Sequence, residues 1–323
     1  MSEQLIEIEE LCVNYKIYEG ILKVLSNVFF KVGEGEKVGL IGESGCGKTT
    51  TMRAIMRILA DNAIVPKGRI LYRGNDTLKM SEERIQTIRR EHVSMIFQDP
   101  TAALNPVFTV GDQLMDVIRY STRKENLTKK EMMDRARKAL MDVALPDPDR
   151  ILKNYPIMLS GGMRQRICIA MALVSASELL IADEPGTNLD VTIQDQILRL
   201  IGRLVEERGT SIILISHALG TVKGLVDKVY VMYAGNMVEV APTEELFSDP
   251  LHPYTRNLFK TVPKLTGGGI PEAIKGRIPD YINPPQGCRF SPRCEHAMPI
   301  CKKEIPLVAS VGGGREVACF LYK

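Results

Sequence analysis

This sequence predicts an α/β fold, and three stretches carry the prediction. The first is Gly42 to Thr50, GESGCGKTT, where four free residues separate a glycine from Gly-Lys-Thr. An apolar run, Val38 to Ile41, precedes it, and Met52, Ile55, Met56 and Leu59 follow at helical spacing, so a strand enters this loop and a helix leaves it. The second is Leu179 to Asp183, a continuous apolar run ending in an acid, as when a buried parallel strand delivers a carboxylate to the C-terminal edge of a sheet. The third is an amphipathic helix from Leu189 to Arg208, with Ile193, Ile197, Leu200, Ile201, Leu204 and Val205 on one face and Gly209 closing it. A further strand, Ser211 to Ile215, follows it.

The loop has the chemistry of a polyphosphate site. Gly42, Gly45 and Gly47 can take backbone angles that side chains forbid, so consecutive N–H groups turn inward as an anion nest at the positive end of a helix. Glu43, Ser44, Cys46 and Thr50 complete it, Cys46 as a small filler rather than a reactive thiol. Lys48 is expected to reach the β- and γ-phosphates, and the Thr49 hydroxyl to hold a bridging magnesium ion. Asp183 is expected to hold that ion through water, and Glu184 to polarise an attacking water. The strand ending at Ser216 presents His217, which can hydrogen-bond a γ-phosphate. Leu159 to Arg166, LSGGMRQR, places Ser160, Gly161 and Gly162 ahead of the helical run Ile167 to Val174, a second helix end suited to an anion. If each nucleotide needs both ends and one fold cannot bring them together, two chains must face each other.

The remaining elements follow in order. Leu5 to Tyr15 and Val24 to Val32 read as strands, and Tyr15 can fold back to stack on a purine, a role for which Tyr18 competes. Gly68 to Gly74 reads as a short hairpin arm, Ser81 as the cap of a helix running to Arg90, and Val93 to Phe97 as a strand that delivers Gln98. Thr109 to Tyr120 and Thr128 to Leu145 are helical, an insertion whose methionines, Met132 and Met133 among them, fill a core. Val229 to Tyr233 and Met237 to Val240 form a hairpin about Ala234-Gly235-Asn236.

Composition limits the alternatives. At 323 residues the chain exceeds what one growing core serves, so one large domain with an appended piece is expected. Forty-two basic against 39 acidic residues give a net charge of only +3, which supplies no stripe for nucleic acid. The longest apolar stretch, Ile167 to Val174, falls short of the roughly 18 residues of a membrane span. Met1 to Glu10 is acidic and lacks the apolar centre of a signal peptide, so a cytoplasmic location is expected.

With these residues in hand, the sequence resembles the ATP-binding cassette superfamily, and within it the ATPase subunits of oligopeptide and dipeptide importers, on GESGCGKTT, FQDPTAALNP, LSGGMRQR, LLIADEP, NLDVTIQDQIL, ISHALG, VMYAGNMVE and HPYTRNLF. Met163 in the signature resembles the first, D-type, of the two ATPases such importers carry. The resemblance implies a RecA-like α/β core with an antiparallel β-subdomain and a helical subdomain at about 102–170, all within residues 1–262, and a Cys-rich extension over 263–323. It implies ATP and Mg2+ as ligands, with the ion held through Thr49, Gln98 and Asp183. By the same resemblance Glu184 is the general base, His217 the γ-phosphate sensor, Gln98 a link to the membrane subunits, and Asp190 part of the loop crossing the dimer interface. Ser160, Gly161, Gly162 and Gln165 would contact the ATP bound by the partner. The implied partners are a second homologous ATPase or a second copy, two permease subunits and, indirectly, an extracytoplasmic solute-binding protein, at the cytoplasmic side of the membrane and without nucleic acid. A cassette ATPase that acts on nucleic acid is the alternative. Gly186, Thr187, Asn188 and Ala218 depart from the usual pattern, which bears on the coupling of the two sites.

From Pro263 the composition turns to Gly and Pro, including Gly267 to Gly269, and predicts an irregular segment that needs a staple. Cys288, Cys294, Cys301 and Cys319, with gaps of five, six and seventeen residues, lack the close pairing of most zinc sites. Four thiolates also hold a four-iron cluster, and QGCRFSPRCEHAMPIC resembles the extension that ligates [4Fe-4S] in some members of the family. A structural cluster comes first, then Zn2+ or disulfides, then free thiols, with Arg289, Arg293, Lys302 and Lys303 expected to offset a cluster's charge.

Overall fold

The computed structural model describes residues 4–175, 178–187, 189–216, 219–261 and 273–322. They fall into two compact units, one drawn from Met1–Gly33, Lys37–Lys79 and Ser216–Lys323, the other from Glu34–Glu36 and Met80–Ile215.

The first unit opens with β1 (Gln4–Ile17) and β2 (Gly20–Gly33), an antiparallel hairpin closed where Ile17 faces Gly20. Then come β3 (Lys37–Ile41), α1 (Lys48–Ile55), β4 (Ala63–Tyr72) and β5 (Asn75–Asp76). Strands β2, β1, β4 and β5 form an antiparallel sheet in that order. Its core face buries Ile6, Ile8, Leu11, Val13, Val28, Phe30 and Ile70. The hairpin arm expected from Gly68 to Gly74 is found, β4 and β5 pairing across Arg73-Gly74, but its first strand begins earlier than expected. β4 starts at Ala63 because β1 supplies a partner for its whole length, from Tyr15 opposite Ala63 to Ile6 opposite Tyr72.

The second unit contains α2 (Glu82–Glu91), β6 (Val93–Ile96), α3 (Pro100–Ala103), α4 (Val110–Ser121), α5 (Lys129–Asp142), α6 (Pro148–Lys153), α7 (Gly161–Ser175), β7 (Leu179–Asp183), α8 (Val191–Arg208) and β8 (Ser211–Ile215). Its strands are parallel with β7 in the middle, and every residue of the three is buried, which is why they read as continuous apolar runs. Thr109 and Thr128 form capping boxes with Asp112 and Glu131, and Gly209 closes α8 in the left-handed conformation at φ 65°. Helices α4 to α7 pack on one another and bury Leu114, Ile118, Ala136, Leu140, Ile151 and Ile167. Met115 and Met132 join that core, Met133 is half-buried, and Met141 is exposed.

The first unit resumes with α9 (Leu219–Lys223), β9 (Lys228–Tyr233), β10 (Asn236–Pro242), α10 (Thr243–Ser248), α11 (Pro253–Lys260), α12 (Pro299–Lys303), β11 (Ala309–Gly312) and β12 (Arg315–Val317). Strand β9 runs parallel to β3 and antiparallel to β10, and β12 pairs with both β10 and β11. The tail expected to be irregular therefore ends in a hairpin that extends a sheet, turning at Gly312, Gly313 and Gly314, all at positive φ.

His252 caps α11. Its Nδ1 accepts from the Tyr254 N–H at 3.0 Å, while its own N–H and that of Leu251 donate to the buried Glu239 carboxylate at 2.9 and 2.8 Å. Complete burial, with the Arg256 charge second, holds the His252 pKa down at about 3, so the native ring stays neutral. The unfolded chain takes up a proton near pH 6.5 that the native state refuses, so stability falls as pH drops from 6.5 towards 3. One such proton is worth about 1.4 kcal/mol per pH unit. In His252→Asn, which keeps a capping oxygen but cannot titrate, urea unfolding between pH 6.5 and 5 should show a slope shallower by one proton.

Candidate nucleotide site

The phosphate loop joins β3 to α1 in the first unit. Gly42 (φ 152°) and Gly47 (φ 111°) are required twice over, by left-handed backbone and by space. A Cβ would stand 2.1 Å from the Met232 carbonyl oxygen at the former and 2.7 Å from Leu25 Cδ2 at the latter. Lys48, 4% exposed, donates from Nζ to the carbonyl oxygens of Gly42 (2.8 Å) and Glu43 (3.0 Å), which holds its ammonium inside the loop. Thr49 and Thr50 lie half-buried in the first turn of α1, where the helix dipole and open N–H groups favour an anion. Ser44 and Gly45 are exposed, while Cys46 is fully buried and its thiol is pushed up by burial, which suits a filler. Tyr15 is half-buried on β1 opposite Leu22, and Tyr18, past its end, is fully exposed.

The second unit carries the acids. Asp183 ends β7, buried at 2% exposure. Glu184 follows in the left-handed region at φ 50°, where a side chain other than glycine is strained, and strain of this kind gathers at functional sites. Its N–H donates to the Ile215 carbonyl at 3.0 Å, and its Oε2 accepts from Gln98 Nε2 (3.0 Å) and Thr187 Oγ1 (3.1 Å). The structure thus brings Gln98 and Glu184 together and adds Thr187, which the sequence reading treated only as a departure. Gly186 has a reason too: a Cβ there would stand 2.4 Å from Gln194 Cγ of α8. His217, Ala218 and Asn188 lie outside the described residues.

Ser160 caps α7, its Oγ accepting from the Met163 N–H at 3.3 Å, and it is exposed beside half-buried Gly161 and Gly162. Gln165, five residues further along α7, is buried at 1% exposure. Asp190 is exposed and caps α8, accepting from the Ile193 N–H at 2.9 Å.

The C-terminal segment reaches the phosphate loop, which the sequence reading missed. Tyr254 accepts from the Glu43 N–H at 2.8 Å, Tyr281 donates to the Gly45 carbonyl at 2.8 Å, and Arg293 grips the Glu43 carboxylate at 2.8 and 3.1 Å. Both arginines expected to offset charge at the cysteines have further partners: Arg293 holds Glu43, and Arg289 donates to the carbonyls of Ala234 and Lys23. Cys288, Cys294, Cys301 and Cys319 line one small cavity with His252, Phe290, Met298 and Phe320. All seven cysteines are free, so the disulfide reading is not met. Among the described residues no three Cys, His, Asp or Glu side chains converge on a single ion. Burial pushes the Cys288 thiol up to about 11 and raises Cys294 and Cys319.

A glycine loop opening a helix in one unit and acids at the end of a buried strand in the other are the features from which ATP hydrolysis is expected. Residues 25–187 match the ABC transporter family, and the chain belongs to that family of ATP-hydrolysing cassettes. Its branch is narrower, since residues 238–301 match the oligopeptide/dipeptide transporter C-terminal region. The dipeptide transport ATP-binding protein DppD of Bacillus subtilis is 42% identical over 322 residues, covering 99% of this chain and 95% of that protein. The oligopeptide transport ATP-binding protein OppD of Salmonella typhimurium is 42% identical over 317 residues, covering 98% and 93%. Among solved structures, the dimeric ATP-binding cassette MJ0796 bound to ADP and Pi has a TM-score of 0.66 at 25% identity and covers 74% of this chain and 98% of its own. The α/β cassette fold expected from the sequence is therefore the fold found.

Proposed function

We propose that this ATPase drives import of short peptides or related solutes, docked on two permease subunits at the cytoplasmic face of the membrane and paired with a second homologous ATPase or a second copy. The observation that carries this reading is the cassette and the peptide-transporter C-terminal region in one chain that aligns end to end with DppD and OppD. Among the described residues no helix is long and apolar enough to cross a membrane, which fits a peripheral subunit. Lys48 and the loop N–H groups hold the ATP phosphates, and Thr49, Asp183 and Gln98 hold Mg2+. Glu184 takes the proton of the attacking water, with His217 contacting the γ-phosphate. Ser160, Gly161 and Gly162 of the facing ATPase complete each site, and Asp190 lies on the loop between the pair. ATP binding closes the pair and hydrolysis reopens it, so differential affinity for the two states supplies the transport work. Isolation of the tagged chain from solubilised membranes should recover two hydrophobic permeases; recovery of nucleic acid in their place would favour the alternative raised by the sequence, which has no counterpart among the relatives named above.

The cysteine cavity supports a second element of the proposal, a [4Fe-4S] cluster on Cys288, Cys294, Cys301 and Cys319. The four thiols line one cavity with Phe290, Met298 and Phe320, and His252, Ser291 and His296 reach it as well; four thiolates are the usual donor set of a four-iron cluster. A bound cation would draw off the protons that burial favours and staple the irregular tail. Protein purified without oxygen should be brown and carry about four irons per chain. Colourless, iron-free protein with undiminished thermal stability would count against it.

A further inference from the structure

We infer that Arg293 is a positioning residue for the nucleotide: through Glu43 it fixes the phosphate loop, so that the C-terminal extension sets the affinity for ATP. The inference rests on the reading of residues 42–50 as the ATP site. Arg293 is only 4% exposed and stands at the meeting point of three segments. Its Nη1 bonds Glu43 Oε2 (2.8 Å) and the Tyr233 hydroxyl (3.3 Å), Nη2 bonds Glu43 Oε1 (3.1 Å) and the Ile274 carbonyl (3.1 Å), and Nε bonds the Lys275 carbonyl (2.9 Å). All three guanidinium nitrogens are therefore engaged, and the fork-to-fork match with Glu43 fixes direction as well as distance. Beneath it Tyr233, Tyr254 and Phe290 pack ring on ring, with centroids 4.6, 5.0 and 5.5 Å apart.

The consequence for the loop follows from what Glu43 does. Its side chain leaves the loop for Arg293, its N–H is fixed by Tyr254, and its carbonyl oxygen is one of the two that hold the Lys48 ammonium. Tyr281 pins the next carbonyl but one, at Gly45. In a planar peptide unit the C=O and N–H point opposite ways, so the same bond turns the Cys46 N–H towards Glu43 O, at 3.3 Å. The backbone of the loop at Glu43 and Gly45 is thus held from outside by residues more than 200 positions away. A buried ion pair is weak grounds for stability but a good device for fixing one geometry, and preorganised donors raise affinity by removing the cost of ordering them. The turn Ser291–Arg293 that carries this arginine continues directly into Cys294, so one short segment links the cysteine cavity to the phosphate loop.

The test is Mg-ATP affinity and steady-state kinetics in the full chain. Arg293→Ala should raise Kd and KM for ATP about tenfold and leave kcat within about threefold, a split that global loosening would not give. Arg293→Lys should recover only part of the loss, because an ammonium cannot meet both carboxylate oxygens and two carbonyls. Arg293→Ala combined with Glu43→Gln should be no worse than the weaker single variant, since both break one contact. Should Arg293→Ala not fold, Glu43→Gln and Tyr281→Phe each remove part of the latch, and each should still weaken ATP several-fold at an unchanged melting temperature. Unchanged ATP affinity in these folded variants, or additive losses in the double variant, would overturn the inference. Lys48→Ala separates the two levels: if it too binds ATP normally, the site assignment has failed rather than the latch.

Discussion

Replacing Glu184 by glutamine is expected to leave ATP binding intact and lower turnover by about 10^2- to 10^4-fold, the range a positioned general base contributes. Glutamine has nearly the same shape, and its amide oxygen can accept the bonds that Gln98 and Thr187 now give to Glu184 Oε2. The left-handed backbone at φ 50° is no harder for glutamine than for glutamate. Only the carboxylate's capacity to take a proton is lost. Phosphate release measured beside equilibrium ATP binding separates the two steps, and normal turnover in the purified variant would remove Glu184 from the role of base.

Lys48→Ala is expected to act one step earlier, on binding itself. Removing one partner of a buried, hydrogen-bonded charge pair costs about 2–5 kcal/mol. That corresponds to ATP affinity weaker by roughly 30-fold to several thousand-fold, beyond detection at ordinary nucleotide concentrations. The deletion also takes the side-chain donor from the Gly42 and Glu43 carbonyls, so some loss of stability should accompany it. Titration with a fluorescent ATP analogue, alongside a melting curve without nucleotide, distinguishes lost binding from lost folding. Affinity within twofold of the parent would show that the phosphates go elsewhere.

The parts of this protein governed by local rules were readable from the sequence. Glycines at 42 and 47 answer to positive φ, Thr109 and Thr128 stand at the starts of their helices, and β7 reads as an apolar run up to its closing acid because every residue of it is buried. What was missed is set by contacts distant in the chain. Nothing near Glu43 signals that its carboxylate belongs to Arg293, 250 positions on, and HPYTRNLF does not reveal that its tyrosine holds the phosphate loop. The different surroundings of Ser160, exposed, and Gln165, buried, were not legible either, because adjacency along a helix is not adjacency on its surface. The closing hairpin at Ala309–Gly312 and Arg315–Val317 did leave a sign, three glycines in a row, but its strands are too short to stand out before β10 is known to pair with one of them.

In the proposed function ATP is held between two ATPases, each offering its Ser160-type helix end to the nucleotide of the other. Light scattering on Glu184→Gln, with and without saturating ATP and Mg2+, alone and mixed with any homologous ATPase that co-purifies with it, measures the molar mass that decides this. An ATP-dependent doubling of mass is expected in at least one of these two samples, lost on Lys48→Ala. A protein that binds ATP yet stays monomeric in both would contradict it.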